Sequence, residues 1–387
     1  MEVKFLVDID SEERTGLFNA VVQRVGCVPQ SVIYNLSYFD TFVVRLLKKL
    51  RGARVRSKKK SFEIDGVIYE PVNVKADALH YLSKFLSLLF PFVLRRDSKV
   101  VSKIIGDGQY ILSAHWGVTS GLLAHYIGMR TKTKYVVTYH GSDIHTFSKK
   151  RYWLRRPLLM SLRAAEVNIF VSNALLADAR SLGYDKDNSI VIYNGVDKER
   201  FRRNSGSGMP QGFGIPADFF DGSFVIGYVG NMSWVKGADY LPEICNGILS
   251  KNPKVKFLFA GDGEYLEDIR SAILKEKVLW LGSVDSDVIT ELMPMLDVLI
   301  LPSRNEGLPL VLLEALASGV HVVASSVGGV PEVLSTEFLV EHGDGFAGRF
   351  ADKVVSAMGL GGDVDVQDCF DWKNIREQER DIYSAMR

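Results

Sequence analysis

Cysteine is scarce in this sequence. The 387 residues include three cysteines, Cys27, Cys245 and Cys369, which are far apart and belong to no CxxC or Cys/His cluster. An odd and widely spaced set excludes a disulfide-stapled framework, and the missing clusters argue against a structural zinc site. We expect the three thiols to fill core positions in a protein of a reducing compartment.

The sequence also lacks a long hydrophobic run. The longest, FLSLLFPFVL at 85–94, has ten residues and a central proline, whereas a membrane-spanning helix needs about 20 apolar residues. The first residues, MEVKFLVDIDSEER, turn acidic too early for a secretory signal peptide. These absences predict a cytoplasmic protein.

The sequence also has no excess of positive or negative charge. The chain has 47 Lys and Arg against 46 Asp and Glu, a net charge of +1, with 47% hydrophobic and 24% charged residues. This balance is typical of soluble globular proteins and excludes a disordered or multi-span membrane protein. The length predicts two domains, because a domain commonly has about 100–200 residues.

The two halves of the chain nevertheless differ strongly in charge. Residues 1–200 contain 31 basic and 19 acidic residues, a net charge of +12, whereas residues 201–387 carry −11. Where the halves join, the stretch 202–216 is rich in Gly, Ser and Pro and indicates a linker or surface loop. We predict domains at 1–200 and 201–365, followed by a terminal helical segment at 366–387.

Both halves alternate short apolar runs with longer helical patterns. This alternation is typical of an α/β fold in which helices cover parallel sheets. Ligands of such sheets bind outside the carboxyl ends of the strands, and most of the apolar runs end in Gly, Ser or His. The predicted strands are 3–9, 110–116, 135–140 and 167–172 in the first half, and 224–230, 255–261, 278–283, 298–303 and 321–326 in the second. The run SIVIYNGVD at 189–197, which contains Asn-Gly, predicts a further strand and turn.

The segment 302–334 contains two acids eight positions apart, Glu306 and Glu314. Pro309 suits a first helical turn, and the leucines after it repeat at helical spacing. Glu306 would then lie at the helix mouth and Glu314 about one turn inside, beside free backbone amides that can bind an anion. Such acids suit sugar and ribose hydroxyls, but two surface glutamates of an ordinary amphipathic helix fit the spacing equally well.

The wider pattern of this segment decides between these interpretations. It carries, in order, Glu306-Gly307-Leu308-Pro309, Glu314-Ala315, Gly319, Val322-Val323-Ala324 and Gly328-Gly329-Val330-Pro331-Glu332. This order resembles the signature of the retaining glycosyltransferases of glycosyltransferase family 4. The resemblance implies the GT-B fold, in which two Rossmann-like domains with doubly wound parallel sheets face each other across a cleft.

The resemblance continues along the second half. The loop at 227–237, GYVGNMSWVKG, is similar to the family's diphosphate-binding loop, with Asn231 where the family usually has arginine. The resemblance implies that Lys236 and Glu306 are catalytic, that Glu306 holds the donor sugar and that Glu314 holds the ribose. The other implied donor contacts are Gly230, Asn231, Gly261, Ser283, Val284, Gly307, Leu308, Pro309 and Leu310.

In the first half, the segment VVTYHGSDIHTF at 136–147 is similar to a strand end of the family. The resemblance implies that His140 is catalytic and faces the transferred sugar, and that Gly141, Ser142 and Asp143 are candidate contacts of the sugar or acceptor. His115 also follows a predicted strand, and we interpret it as structural.

The two ends of the chain match less closely. Near the N-terminus, relatives carry a loop with two glycines, whereas this chain has Gly16, which we take as a further candidate acceptor contact. The segment 370–383 resembles the terminal helix that crosses back to the first domain in this family.

A second acidic motif points to a different chemistry. Asp285-Ser286-Asp287 has the D-x-D form used by metal-dependent sugar transferases of another fold, but it precedes a helical pattern and suits an N-cap. We therefore expect no metal and no cofactor. The UDP- or GDP-linked sugar would be a substrate.

Two clusters of basic residues lie at 48–60 and 149–156, with an apolar stretch at 79–94 between them. Cations beside leucines and aromatics suit an anionic bilayer surface, at about 1 kcal/mol per cation. A merely solvated face remains an alternative. Nucleic acid is a poor partner, because no binding motif is present and the second half is acidic.

Together, these features predict a retaining glycosyltransferase of the hexosyltransferase type. It would move a sugar to a glycan or lipid-linked glycan acceptor in bacterial surface-polysaccharide biosynthesis, such as capsule or O-antigen, at the inner face of the cell membrane. Two alternatives stay open: a sugar-nucleotide epimerase of the same fold, and a non-catalytic sugar-nucleotide-binding component of a membrane assembly complex. Analysis of products and of donor consumption separates the three.

Overall fold

The structure is a computed structural model that describes residues 2–9, 16–28, 31–50, 53, 55–64, 67–147, 152–203, 215–216, 219–358, 360 and 364–386. Most of the predicted linker at 202–216 lies outside these residues, as do Arg51, Arg54, Lys149, Lys150 and Arg151 of the basic clusters. The chain forms two compact units. The first comprises Met1–Tyr193 and Ile375–Arg387, and the second comprises Asn194–Asn374.

The first unit contains a sheet of eight strands: β1 (Glu2–Val7), β2 (Val32–Asp40), β3 (Phe62–Ile64), β4 (Val67–Ala76), β5 (Tyr110–His115), β6 (Tyr135–Tyr139), β7 (Val167–Phe170) and β8 (Ser189–Val191). Their order is β3-β4-β2-β1-β5-β6-β7-β8, and β3–β4 is the antiparallel pair. The α-helices described here are Gly16–Val25, Phe42–Leu50, Ala78–Phe85, Phe90–Ile105, Leu122–Thr131, Tyr152–Ala164, Asn173–Ser181 and most of Trp372–Ala385.

The central strands of this sheet are buried along their whole length. Every residue of β5 and β6 is buried, and in β1 only the first residue is exposed. Helices cover both faces of a parallel sheet, so its strands are continuous apolar runs and do not alternate with polar residues. This burial is the reason that the sequence alone identifies these strands.

The second unit contains a parallel sheet of six strands: β9 (Val225–Val229), β10 (Lys256–Ala260), β11 (Val278–Gly282), β12 (Val298–Leu301), β13 (His321–Ser325) and β14 (Leu339–Val340). Their order is β11-β10-β9-β12-β13-β14. Phe257 and Phe259 of β10 belong to one buried core with Phe350. The α-helices described here are Lys198–Arg203, Leu241–Lys251, Leu266–Ala272, Ser286–Leu292, Leu310–Ala317 and Phe346–Ala357.

The predicted α/β class is confirmed, and each of the ten predicted strands is present, the one at 189–197 as β8. β2, β3, β4 and β14 have no counterpart among the predictions. β2 reads VIYNLSYFD and mixes buried with half-buried residues, so neither a continuous apolar run nor strict alternation marks it. β14 has two residues and is too short for any periodic signal.

Two further expectations concern the thiols and the membrane. Cys27 and Cys245 are buried, but Cys369 is exposed, so the expectation that all three fill core positions is wrong for Cys369. Cys369 lies in the short helical turn Asp368–Phe370, and the buried residue of this turn is Phe370. Among the helices that the structure describes, none has the length and apolar character needed to cross a membrane.

A buried ion pair attaches the helix Trp372–Ala385 to the rest of the first unit. Arg24 and Glu379 pair with each other, and neither side chain has exposed surface. Arg24 also donates hydrogen bonds to the carbonyl oxygens of Ile192 and Tyr193 at 2.8 and 2.7 Å. The guanidinium therefore joins the terminal helix to the chain that follows β8.

Replacement of Glu379 by alanine should destabilise the first unit, because it leaves the Arg24 cation buried without its counter-charge. We expect the free energy of unfolding to fall by about 3–5 kcal/mol. Urea unfolding followed by far-UV circular dichroism measures the change. The control is Glu377→Ala, an exposed residue of the same helix, and equal effects of the two substitutions would contradict the prediction.

Candidate functional site

The parallel strands of the second unit all end at one edge of its sheet. The chain order reverses at β9, because β10 lies on one side of β9 and β12 on the other. A reversal of this kind creates a crevice for ligands at the carboxyl ends. Gly230 follows β9, Gly261 follows β10, and Ser303 and Glu306 follow β12, so these residues lie along this edge.

Lys236 and Glu306 form an ion pair at this edge. Lys236 Nζ lies 2.8 Å from Oε1 and 2.9 Å from Oε2 of Glu306. The Ser303 hydroxyl donates a further hydrogen bond to Glu306 Oε1 at 2.7 Å. The side chain of Glu306 is 7% exposed and that of Lys236 is 36% exposed. The carboxylate is thus held by two donors, while the ammonium keeps a surface that an anion can approach.

Two glycines allow neighbouring loops to reach this pair. Gly328 has φ +54°, and a Cβ atom there would lie 1.8 Å from the carbonyl oxygen of Glu306. Gly237 has φ +67°, and its Cβ would lie 1.9 Å from the carbonyl oxygen of Pro302. Neither the backbone conformation nor the space admits a side chain. The loop after β13 and the residue after Lys236 can therefore both close against the end of β12.

The helix Leu310–Ala317 begins four residues after Glu306. Its N-cap residue, Pro309, has an extended backbone and provides no side-chain hydrogen bond to the first turn. The carbonyl oxygen of Leu308 accepts a hydrogen bond from Asn194 Nδ2 at 2.9 Å, which holds the loop in front of the helix. Uncapped amides at a helix start carry partial positive charge and suit an anion such as phosphate.

Glu314 lies in the second turn of this helix and is half-buried. Burial raises the pKa of its carboxyl to about 7, although the Arg200 guanidinium acts in the opposite direction. Among the described residues, none forms a hydrogen bond with its carboxyl. A carboxyl that titrates near neutral pH can donate a hydrogen bond to a ligand hydroxyl as well as accept one.

Among the described residues, three others predicted to bind the donor, Asn231, Ser283 and Val284, form no hydrogen bond with the ion pair. Asn231 is exposed, and its carbonyl oxygen accepts a hydrogen bond from the Tyr228 hydroxyl at 2.9 Å. Ser283 is exposed and Val284 is half-buried, in the loop after β11. The structure therefore joins Lys236 to Glu306, and the donor contacts of these three residues stay predictions.

In the first unit, two histidines lie side by side at the carboxyl ends of the neighbouring strands β5 and β6. His115 Nδ1 lies 3.2 Å from His140 Nε2, and the two rings stack. Burial lowers the pKa of His115 to about 3. Burial, together with His115 and the Arg24 cation, lowers the pKa of His140 well below its usual range. At neutral pH His140 is therefore an uncharged imidazole that His115 orients.

Asp143 is fully buried. Its Oδ1 accepts hydrogen bonds from the backbone amides of Gly141 at 3.0 Å and Ile144 at 3.2 Å, and its Oδ2 accepts one from Gly117 at 2.9 Å. Asp143 therefore joins the loops after β5 and β6 to each other. The contact of Asp143 with the sugar or acceptor stays a prediction, and both of its carboxylate oxygens accept hydrogen bonds from backbone amides.

Trp116 has a conformation that the sequence does not reveal. Its φ is +78°, which is strained for a residue with a side chain. Its indole N–H donates to the exposed hydroxyl of Ser142 at 3.1 Å. The next residue, Gly117, has no room for a side chain, since a Cβ would lie 2.3 Å from the ring of Tyr139. The other candidate acceptor contact, Gly16, begins the helix Gly16–Val25.

Two family models match the chain. One, described as "Glycosyltransferase Family 4", matches residues 21–200, and the other, described as "Glycosyl transferases group 1", matches residues 223–359. The chain belongs to glycosyltransferase family 4. It is therefore a glycosyltransferase, and the two matched ranges fall mainly in the first and the second unit respectively.

Curated relatives of this glycosyltransferase include two bacterial proteins. N-acetyl-alpha-D-glucosaminyl L-malate synthase of Bacillus anthracis is 27% identical over 265 residues, which are 66% of this chain and 67% of that protein. The putative teichuronic acid biosynthesis glycosyltransferase TuaC of Bacillus subtilis is 29% identical over 223 residues, which are 57% of this chain and 54% of TuaC.

Solved structures share the fold of this glycosyltransferase. Anabaena Alr3699/HepE, crystallised with UDP and glucose, has a TM-score of 0.68 at 18% identity, with both chains covered completely. Sucrose-phosphate synthase from Thermosynechococcus elongatus has a TM-score of 0.70 at 16% identity, over 100% of this chain and 99% of that one. The glycosyltransferase has the GT-B fold.

Sequence reasoning missed several residues that support the site of this glycosyltransferase. Ser303, described above, is one. Arg304 forms a two-pronged ion pair with Asp239, at 2.5 and 2.7 Å, and its guanidinium lies 4.5 Å from the ring centroid of Trp234 and 4.1 Å from that of Tyr240. It thereby fixes the loop that carries Lys236. The only sequence signal for Ser303 and Arg304 is their position at the end of a predicted strand.

The D-x-D triplet has a structural role in this glycosyltransferase. Asp285 occupies the expected N-cap position of the helix Ser286–Leu292, although its side chain makes no capping hydrogen bond there, and Asp287 pairs with Arg200. Within the part of the chain that the structure describes, no group of three or more His, Cys, Asp or Glu side chains could hold a metal ion.

The raised pKa of Glu314 predicts a specific dependence of stability on pH. The folded protein keeps the Glu314 proton to about pH 7, against an ordinary pKa of 4.5. Between these values the folded state binds more protons than the unfolded state, so the free energy of unfolding of the wild type falls as pH rises, relative to Glu314→Gln. The difference should be constant below about pH 4.5 and above about pH 7.

Urea midpoints of the wild type and Glu314→Gln, compared across this range, measure the effect. The control is Glu276→Gln, which replaces an exposed carboxyl of the same unit and should follow the wild type at every pH. Parallel curves for the wild type and Glu314→Gln would contradict the assignment.

Proposed function

We propose that this glycosyltransferase transfers a sugar from a nucleotide-sugar donor to a hydroxyl of a glycan or lipid-linked glycan acceptor, with retention of the anomeric configuration. The observation that carries the proposal is the Lys236–Glu306 pair, which precedes the uncapped start of the helix Leu310–Ala317. A cation and free amides suit a diphosphate, and a neighbouring carboxylate suits sugar hydroxyls.

Lys236 and the amides around Gly307–Leu310 stabilise the diphosphate of the donor. Negative charge grows on this group as the bond to the sugar breaks. Preorganised donors aimed at such a charge each contribute roughly 3 kcal/mol of transition-state stabilisation. Asn231 adds a neutral donor where relatives have a cation, so Lys236 carries more of the charge compensation in this chain.

Donor binding exchanges the partners within the ion pair. In the free protein, both oxygens of Glu306 accept hydrogen bonds from Lys236. The diphosphate attracts the accessible ammonium, and hydroxyls of the donor sugar then donate to Glu306, while the bond from Ser303 persists. The carboxylate stays paired throughout, which avoids the cost of a buried unpaired charge. Glu314 binds the ribose hydroxyls.

The transfer step needs no protein nucleophile. A bond forms between the acceptor oxygen and the anomeric carbon, and the bond from that carbon to the phosphate oxygen breaks. In a front-face attack the acceptor approaches from the side of the leaving group, and its proton passes to the leaving phosphate oxygen. With the donor bound, Glu306 accepts hydrogen bonds from Ser303 and from the sugar hydroxyls, so its role is to hold the sugar while positive charge develops at the anomeric carbon.

Residues of the first unit contact the transferred sugar and the acceptor. His140 is an uncharged imidazole at neutral pH, since its pKa is strongly lowered. It can therefore accept or donate a hydrogen bond to a sugar hydroxyl without placing a second positive charge near an oxocarbenium-like centre. Ser142 is exposed and, with Gly16, remains a candidate acceptor contact.

Two comparisons support narrower choices of donor and acceptor. Alr3699/HepE was crystallised with UDP and with UDP-glucose, which supports a UDP-linked donor over a GDP-linked one. TuaC is named for teichuronic acid biosynthesis, which supports a part in bacterial surface-polysaccharide assembly. The basic first half of the chain supports a cytoplasmic enzyme bound peripherally to the inner, anionic face of the cell membrane.

Glu306→Gln and Lys236→Met should each lower turnover roughly 100-fold or more, because each removes a group that acts on developing charge. Steady-state transfer from a radiolabelled nucleotide sugar measures the effect. The matched controls are Glu276→Gln and Lys275→Met, which remove exposed charges of the same unit and should keep wild-type turnover. Wild-type turnover of both site variants would refute the proposed mechanism.

The donor itself can be identified by thermal stabilisation of the purified protein with a panel of UDP- and GDP-linked sugars. We expect one donor to raise the midpoint of unfolding and Lys236→Met to abolish most of the rise, because binding to the folded state stabilises it. Product analysis then follows. A new sugar nucleotide formed without acceptor would indicate an epimerase, and binding without donor consumption would indicate a non-catalytic protein.

Transfer should need neither a metal ion nor another cofactor, because Asp287 of the D-x-D triplet is occupied by Arg200 and the diphosphate has Lys236 and helix amides as partners. We expect turnover to persist in excess chelator. Activity that disappears with chelator and returns with manganese would contradict this part of the proposal.

A further inference from the structure

One helix of the first unit directs its apolar side chains to solvent. Five apolar residues of the helix Phe42–Leu50 are between 53% and 80% exposed, whereas Val44 is buried. At 3.6 residues per turn the five exposed residues cover an arc of about 140°, and Val44 lies outside this arc on the far side. We call this set the outer face; its members are Phe42, Val43, Leu46, Leu47 and Leu50.

Polar contacts attach the opposite side of this helix to the protein. Lys48 Nζ donates to Asp40 Oδ2 at 2.9 Å and lies 4.8 Å from the ring centroid of Tyr81. Arg45 Nε donates to the carbonyl oxygen of Asp40 at 3.1 Å. A surface helix ordinarily turns its apolar side inward. Here the contacts with Asp40 and Tyr81 hold the apolar side outward.

The helix Phe42–Leu50 and the segment that follows it are rich in positive charge. Residues 42–60 include nine Lys or Arg residues and no Asp or Glu. Lys49 of the helix is exposed, as are Arg56, Lys58 and Lys60 in the segment that follows. An apolar face beside exposed cations complements a surface of anionic headgroups over acyl chains. The same cations oppose pairing with a second copy, because in a two-fold dimer the face would meet itself.

A second area of exposed apolar side chains lies at residues 79–92 of the same unit. Tyr81 of the helix Ala78–Phe85 donates a hydrogen bond to Asp40 and contacts Lys48, on the side of the helix Phe42–Leu50 opposite the outer face. Among the described residues, eleven of the twenty-one exposed large apolar side chains fall between residues 42 and 92. This concentration is unusual for a surface that meets only water. Those of the second area are Leu79, Leu82, Leu86, Leu88 and Phe92.

We propose that the helix Phe42–Leu50 lies in the headgroup region of an anionic bilayer, with its outer face toward the acyl chains. Lys49, Arg56, Lys58 and Lys60 then contact the lipid phosphates. The inference rests on the proposed membrane partner and deepens it by naming the surface that binds. It assigns the binding to inserted side chains as well as to charge.

Site-specific labelling tests the insertion directly. Cys27 and Cys245 are buried, so in a Cys369→Ser background an introduced thiol is the one accessible to a maleimide fluorophore such as NBD. Leu47→Cys carries the label on the outer face, and Leu274→Cys, at a residue 58% exposed in the second unit, is the matched control. The probes are vesicles of phosphatidylcholine alone and of phosphatidylcholine with phosphatidylglycerol.

On the anionic vesicles, the label at Leu47 should become brighter, shift to the blue and be quenched by a lipid-borne quencher, while the label at Leu274 should not change. Sedimentation gives a second measurement. Phe42→Ser/Leu46→Ser/Leu50→Ser should lower the partition coefficient roughly tenfold or more, because three inserted apolar groups are lost. Leu274→Ser/Leu360→Ser is the control for this variant and should bind as the wild type does.

Three outcomes would overturn the inference. The first is sedimentation of the wild type with no response of the label at Leu47. The second is equal binding of the wild type and the triple serine variant, or equal binding to neutral and anionic vesicles. The third is a wild-type dimer that the triple variant dissociates, without any vesicle binding, which would assign the outer face to a second copy of the chain.

The same variants separate this inference from the proposed function. The outer face is not part of the Lys236–Glu306 site, so the triple serine variant should keep the thermal stabilisation by the donor. If the protein binds vesicles but no nucleotide sugar raises its midpoint of unfolding, the proposed function alone is contradicted. Donor stabilisation without insertion of the outer face would contradict only the inference drawn here.

Discussion

Parallel strand pairing is the constraint on which both candidate sites depend. Parallel neighbours must be joined by long connections that cover the sheet, so the strands are buried on both faces and all end at one edge. In the second unit this brings together Lys236 and Glu306, which are 70 positions apart in the chain. In the first unit it brings together His115 and His140, which are 25 apart.

Buried polar groups then determine how each edge is shaped. A buried carboxylate needs hydrogen-bond donors in place of water. Asp143 accepts hydrogen bonds from three backbone amides and thereby joins two loops of the first unit. Glu306 accepts hydrogen bonds from Lys236 and Ser303, and Lys236 remains partly exposed. The difference has a functional consequence. A carboxylate satisfied by amides alone is a structural element, whereas one that shares an accessible cation can exchange that cation for a ligand.

The sequence revealed those parts of the fold whose residues are uniform along the element. β5 and β6 are buried throughout, so they appear as apolar runs, whereas β2 is partly exposed and contains polar residues in its middle. The apolar strand β12 and the leucine-rich helix Leu310–Ala317 are also recognisable from local sequence, so Glu306 could be located in the loop between them. Local sequence could not predict three other features, because each depends on residues from another element. They are the partner of Glu306, the burial of Asp143 and the positive φ of Trp116.

By itself, the sequence determined the α/β class, the family motif with its two glutamates and the opposite charges of the two halves, since local order and composition encode all three. Tertiary structure alone decided which side chains meet. Periodicity predicts that the helix Phe42–Leu50 has an apolar side, but only its contacts with Asp40 and Tyr81 turn that side outward. The direction of a helix face depends on the contacts of its other side, and one of the partners here, Tyr81, comes from a separate helix that local sequence does not place.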